Sequence, residues 1–215
     1  MNKLFFIIFL TSITTFSSAQ NVTVGPSAKP LLKSVVKNPV EGSAYFNIRY
    51  TNGKIKTVSQ KEFAVKDLRY NLETQQLEYT ENDNIYAIQD SVQSFTLPDS
   101  AGNTHLFTKL KSGNSNGFYE AMADGPVMLL KQHTVKKETV EDWFTKKKVN
   151  KIVRHDVYFT SKAGILQKFT PSTKNIATVF ADKKEQITTF IKNEQLDLKQ
   201  DEDLLKVFKF YNTLN

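Results

Sequence analysis

The 215-residue sequence contains no cysteine. That excludes disulfide staples, thiolate metal sites, thiol nucleophiles and the lipid-bearing cysteine of a lipoprotein. The fold must therefore be held by burial alone, and a chain of this length can bury about 70% of its unfolded surface without staples. Apolar runs are scarce as well. After the first ten residues the uninterrupted ones are short, such as Val127 to Leu130, far below the roughly 20 residues a spanning helix needs. Histidine is limited to His105, His133 and His155, with no H-x-x-x-H or H-x-H spacing, so the sequence carries no metal-ligand pattern and implies no cofactor. Acidic residues are the minority charge, 22 against 29 Lys and Arg, and the net charge is +7. An excess of this size favours contact with anionic lipid or polysaccharide and does not require nucleic acid.

What is present begins with a leader. Lys3 precedes the apolar run Leu4 to Leu10, and Ser17-Ser18-Ala19 follow. A charged start, a short apolar core and small residues at the end are the marks of a secretory signal peptide. Residues 1–19 are read as that peptide, with cleavage after Ala19. The expected location is outside the cytoplasm: the periplasm first, with outer-membrane association or an extracellular site as alternatives. Residues 20–43 hold Pro26, Pro30, Pro39, Gly25 and Gly42 and are read as a lead-in segment, with an edge strand over Leu31 to Val36. Residues 44–215 are read as one β-rich domain.

Within that domain, Tyr45 to Thr51 and Lys54 to Val58 flank Asn52-Gly53, a dipeptide suited to a type I′ hairpin turn. A second hairpin is expected between Val65 to Asn71 and Gln76 to Thr80. Further strands are expected over 85–88, 92–97, 104–110, 118–122, 127–135, 152–160 and 165–169, separated by Gly, Pro, Asn and Asp. Regular spacing of this kind argues for an antiparallel meander. After Pro171 the period changes. Asp182 and Glu185 can form a capping-box-like pair before Ile187, Phe190 and Ile191. Leu204, Val207, Phe208 and Tyr211 then follow Asp201-Glu202-Asp203 at i, i+3, i+4 and i+7, one face of a helix with acidic residues at its start. The predicted class is α+β, mainly β: an antiparallel meander forming a curved sheet or partly open barrel, closed by two short C-terminal helices at about 173–213.

The strings Arg69-Tyr70-Asn71, Phe118-Tyr119-Glu120 through Gly125 to Leu130, and Asp182 to Tyr211-Asn212 occur in that order. Together they resemble a group of uncharacterised exported Bacteroidetes proteins with a strand-rich body and a C-terminal helix ending in Tyr-Asn. The resemblance spans roughly residues 44–213. It implies export and a strand-rich fold, and it carries no catalytic or binding residue.

No catalytic constellation emerges. Gly113-Asn114-Ser115-Asn116-Gly117 matches a nucleophile elbow in letters, but Phe118 to Met122 reads as a strand where that motif needs a helix. If Val127 to Val135 pairs with Ile152 to Thr160, His133 and His155 fall near one another, yet a one-residue slip reverses the faces. The histidines are therefore read as surface or half-buried. Asp201, Glu202 and Asp203 lack the alternating spacing and glycine of a calcium loop and are read as helix-start charges. The chain is read as a non-enzyme with no catalytic or metal residues.

The outstanding local feature lies between Lys131 and Arg154, where eight Lys and Arg face three acids. Trp143, the single tryptophan, sits there beside Phe144. The candidate binding residues are Trp143, Phe144, Lys146, Lys147, Lys148, Lys151 and Arg154. Aromatic rings flanked by ammonium groups suit a membrane interface or a sugar bearing carboxylate or phosphate. The first functional reading is thus a non-catalytic envelope protein that binds a protein, a glycan or an anionic membrane surface, with no transmembrane segment. The second is a carrier of an apolar or lipid ligand in a cavity between sheet and helices.

Overall fold

The computed structural model describes residues 40–88, 91–112 and 115–214. The leader, the cleavage position and the expected strand over Leu31 to Val36 lie outside the described residues.

Alternation of apolar and polar side chains generates the strands. Phe95 and Leu97 point into a core while Thr96 between them does not, the period of two that a pleated strand imposes. Two short early strands, β1 (Val40–Glu41) and β2 (Thr51–Thr57), precede β3 (Glu62–Asn71), β4 (Gln76–Glu81) and β5 (Asn84–Ile88). There follow β6 (Val92–Pro98), β7 (Thr104–Ser112), β8 (Ser115–Ala123), β9 (Val127–Glu141), β10 (Lys148–Lys162) and β11 (Ile165–Phe169). They form one open sheet in the order β1-β10-β9-β8-β7-β6-β2-β3-β4-β5, with β11 paired to β10. Among the described residues only the β1 pairing is parallel, and the sheet is not closed into a barrel. Ser112 pairs with Ser115 at the β7–β8 hairpin, so Ser115 begins a strand and the strand-turn-helix context of a nucleophile elbow is absent.

The expected hairpin at Asn52-Gly53 does not form. Gly53 lies inside β2, opposite Val65 across a register shift, and its neighbours explain the glycine. An added Cβ would stand 2.6 Å from the Thr96 carbonyl oxygen and 2.8 Å from Leu68 Cδ2. The residue serves close approach, not a turn. Gly53→Ala is expected to destabilise by about 1–3 kcal/mol through overpacking, since a backbone oxygen cannot swing aside; urea unfolding measures it. The two-residue turn is found instead at Asn82-Asp83, between paired Glu81 and Asn84. Both residues have positive φ, 50° and 62°, as a type I′ turn requires. Nor do residues 45–50 form the expected strand. Here the buried side chain of Asn47 substitutes for a strand partner, donating to the Leu68 carbonyl at 3.1 Å and accepting from the Tyr70 amide at 3.2 Å.

Three helices, not two, follow the sheet: α1 (Thr173–Val179), α2 (Lys184–Asn193) and α3 (Asp201–Thr213). The unexpected α1 is capped by Ser172, whose hydroxyl accepts from the Asn175 amide at 3.2 Å. Asp182 makes no cap. It lies in a 3-10 turn before α2 and accepts from the Tyr211 hydroxyl at 3.1 Å. The periodicity read for α3 holds, because Leu204, Val207, Phe208 and Tyr211 are all buried.

Burial divides into two main cores. In one, Ile176, Phe180, Ile187, Leu204, Val207 and Phe208 fill the layer between the helices and the ends of β8 and β9, against Val127 and Leu129. In the other, the sheet curls on itself, so that Leu77 of β4 shares a cluster with Phe95, Phe107 and Phe118. The curl is tied by the Gln75 side-chain amide, which donates to the His133 carbonyl at 3.1 Å.

The β9–β10 hairpin is the longest element. It runs in register from Val127↔Lys162 to Glu141↔Lys148. Pairing with β8 reaches only as far as Lys131. The ten residues beyond Lys131 amount to roughly 33 Å of ribbon at 3.3 Å per residue.

Candidate functional site: a hairpin tip and an acid–histidine band

The ribbon ends in a built turn. Asp142 Oδ1 accepts from the amides of Phe144 and Thr145 at 3.2 and 2.7 Å and from the Thr145 hydroxyl at 2.8 Å. The Asp142 amide donates to the Lys147 carbonyl, and the Lys146 amide to the Asp142 carbonyl. These bonds hold Trp143 and Phe144 outward, 80% and 77% exposed, edge to face with ring centroids 5.6 Å apart. A monomer normally hides such rings, because two neighbouring exposed aromatics lose their burial energy to water. Lys146, Lys147 and Lys148 follow them in the same turn and strand start and are exposed. Lys146 stands 3.8 Å from Glu141.

The other candidate cations are distributed elsewhere. Lys151 pairs with Glu41 at 2.9 Å, across the β1–β10 contact. Lys137 pairs with Glu73. Lys131 is buried and Arg154, still partly exposed, turns toward Asp156, so both join a polar band in the middle of the sheet. The tip therefore consists of Trp143, Phe144 and three lysines.

The polar band arises from register. On one face of β9, Val127 and Leu129 enter the helix-covered core, Lys131 and His133 come next, and Val135 packs on the second core. Asp156 is directly opposite His133 and Glu120 is opposite Lys131. His105 comes from β7 and Asp99 from the β6–β7 loop. The result is a continuous chain. His105 Nε2 stands 3.2 Å from Asp99 Oδ2, and its Nδ1 stands 2.6 Å from Glu120 Oε1. Glu120 Oε2 stands 2.6 Å from His133 Nε2, and His133 Nδ1 stands 2.7 Å from Asp156 Oδ1. Arg154 donates from Nε to the same Asp156 oxygen at 3.1 Å. The Phe46 ring covers the chain, its centroid 5.2 Å from His105 and 5.4 Å from His133. At one end Lys131 pairs with Asp201 of α3, and Tyr158 donates to the other Asp201 oxygen. A cavity of about 420 Å³ opens onto the band.

His133 is 2% exposed, which corrects its reading as surface or half-buried. His155 points to the opposite face and meets Glu138 at 2.8 Å, so the two histidines are not brought together. Among the described residues, no three His, Asp or Glu side chains form a group able to hold a metal ion.

The electrostatics of the carboxylates follow from their partners. Burial is the largest influence on Glu120 and would raise its carboxyl. The hydrogen bonds and charges of His133 and His105 outweigh it and hold Glu120 below its ordinary range. Burial likewise pushes Asp156 up, but His133 and Arg154 bring it down to about 2. The sign is that of a depressed acid: its stabilisation is complete above the unfolded value near 4 and disappears as pH falls towards about 2. Acid unfolding followed by circular dichroism should lose this contribution in that window, and Asp156→Asn should remove that part of the acid transition.

No protein-family model, curated protein or solved structure matches the chain.

The band escaped sequence reasoning because its members come from four strands, a loop and a helix. One signal did exist. Lys131 and His133 occupy the same phase as Val127 and Leu129, so two ionisable residues stand where the alternation calls for apolar ones. Charged residues at core phase need partners.

Proposed function

We propose that the chain is an exported, non-catalytic protein of the cell envelope that docks an anionic membrane surface through the tip of the β9–β10 hairpin. The observation that carries this reading is the exposure of Trp143 and Phe144 on a turn fixed by Asp142, beside Lys146, Lys147 and Lys148. Amphipathic aromatic rings partition to the headgroup level, and each nearby basic residue adds about 1 kcal/mol against an anionic leaflet. The last residues of the ribbon carry the tip past the β1 pairing at Asn150 and Lys151. Export is the expectation carried by the leader and the Bacteroidetes resemblance. The filled layer between helices and sheet supports docking over the carrier reading, which requires ligand space there.

Co-sedimentation with vesicles of anionic lipid tests the reading. Binding of the wild type should weaken as salt shortens the Debye length to about 3 Å near 1 M, leaving a residue of apolar attachment. Changing Lys146, Lys147 and Lys148 together to Gln should lower affinity on the order of a hundredfold at low salt, about 3 kcal/mol for three charges. Trp143→Ala should remove the salt-resistant part. Identical, salt-independent behaviour of wild type and the triple variant would refute membrane docking by this tip. Binding to purified envelope polysaccharide but not to vesicles would turn the reading towards a glycan.

A further inference from the structure

The acid–histidine band plays no part in that docking, and its composition is unusual for the interior of a sheet. Each of two imidazole rings has a carboxylate at both nitrogens. A carboxylate only accepts, and a neutral imidazole has one N–H and one lone pair. With neutral rings, one nitrogen of His105 and one of His133 would each set a lone pair against a carboxylate oxygen at the distances observed. With the acids ionised, doubly protonated rings give each of these four carboxylate contacts a proton.

Charge balance gives the same answer. The groups facing the two rings are Asp99 from the β6–β7 loop, Glu120 from β8, Arg154 and Asp156 from β10, and the uncharged ring of Phe46. Beside them stand Lys131 of β9, Tyr158 of β10 and Asp201 of α3. With both rings charged, His105, His133, Lys131 and Arg154 balance Asp99, Glu120, Asp156 and Asp201. With both neutral, buried Glu120 keeps its negative charge with no imidazolium at either oxygen, and unpaired buried charge is costly, whereas the other acids of the band are partly exposed. One contact runs against this arrangement: Arg154 Nη2, a donor, stands 2.7 Å from His133 Nδ1. Arg154 is 40% exposed on a long side chain, whereas His133 is buried between strands. The guanidinium is the member free to swing, and Asp156 decides the ring.

We propose that the band is a proton-operated clamp: His105 and His133 each hold two ring protons in the closed fold, and losing them as pH rises releases the junction between the two cores. The position suits such a device. His133 also receives Gln75 on its carbonyl, the bond that ties the curl of the sheet. Lys131, two residues away on the same face, anchors the start of α3. Loss of the ring protons therefore acts on the strand that holds both the curl and the first turn of α3.

By linkage, a folded state that binds more protons than the unfolded chain loses stability as pH rises, up to tenfold in the folding constant per proton and per pH unit. Two rings give up to about a hundredfold.

The test is urea unfolding of the full chain, freed of metal with a chelator, from about pH 5.5 to about pH 8.5, the span in which imidazole charge changes matter. The wild type should lose stability steeply as pH rises. His105→Gln, at the more exposed ring, should roughly halve the slope. Ring nitrogen-15 spectra of the wild type near pH 6 should show both rings doubly protonated, a readout that does not depend on any variant folding. A flat or rising profile, or a single neutral tautomer for either ring at pH 6, would overturn the clamp. So would one-to-one zinc binding that restores acid-like stability at about pH 8, which would make the same imidazoles metal ligands.

Discussion

Phe208→Ala is expected to destabilise the protein by about 3–5 kcal/mol, the usual cost of emptying a buried aromatic position. Phe208 is fully buried on α3, with the Phe180 ring at 5.0 Å and the Phe169 ring at 6.0 Å. Behind it lie Val127 and Leu129, fixed in a hydrogen-bonded sheet that cannot collapse into the space. Because this layer supplies the apolar contact between helices and sheet, the variant should lower the denaturation midpoint with little change in slope if the whole unit unfolds together. Phe210 provides the contrast. It stacks on Phe190 at 4.1 Å on the outer side of the helix pair and is only partly buried, so its truncation should cost about 0.5–1.5 kcal/mol beyond lost area. Equal, small shifts for Phe208→Ala and Phe210→Ala would show that α3 is not docked as described.

The same comparison indicates what a sequence can disclose. The face of α3 was legible because four apolar residues at i, i+3, i+4 and i+7 have few alternatives to a one-sided helix. The strands from β4 to β11 were legible for a similar reason, since alternation and turn residues act locally, but β9 and β10 run on to Glu141 and from Lys148, past the expected 127–135 and 152–160, because cross-strand pairing carries the charged ends. Gly53 was misread because glycine answers two demands, positive φ and close approach, and the second depends on Thr96, forty-three residues away. Asn47 was missed because nothing local marks a side-chain amide that completes another strand's hydrogen bonds. Helix α1 was too short for its period to register, and only Ser172 hinted at a cap. At the site, the Trp-Phe tip with its lysines stood out because it is contiguous. The acid–histidine band did not, since its meaning lies in which residues face one another. The adjacent pair His155-Asp156 illustrates this: the register sends Asp156 to His133 and His155 to Glu138.

Glu120→Ala is expected to cost about 3–5 kcal/mol, the penalty for removing one member of a buried charged set and leaving the rest uncompensated. Among the described residues Glu120 is the one carboxylate that touches both imidazoles, one through each oxygen, and it is 9% exposed. Without it, His105 Nδ1 and His133 Nε2 lose their acceptor together, while Lys131 keeps its positive charge nearby. Glu120→Gln should be milder, because its amide oxygen still accepts from one ring, although the amide nitrogen meets the other ring as a donor. Size alone does not explain such a difference, since the two side chains are nearly isosteric. The pH dependence adds a second discriminator. Once Glu120 is gone, extra ring protons are no longer favoured in the folded state, so the excess of protons bound on folding falls and the decline of stability with rising pH should flatten or reverse. Urea unfolding of both variants at about pH 6 and about pH 8 measures this directly. A loss below about 1 kcal/mol for Glu120→Ala, with the wild-type pH slope retained, would mean that the two imidazoles do not depend on the carboxylate between them.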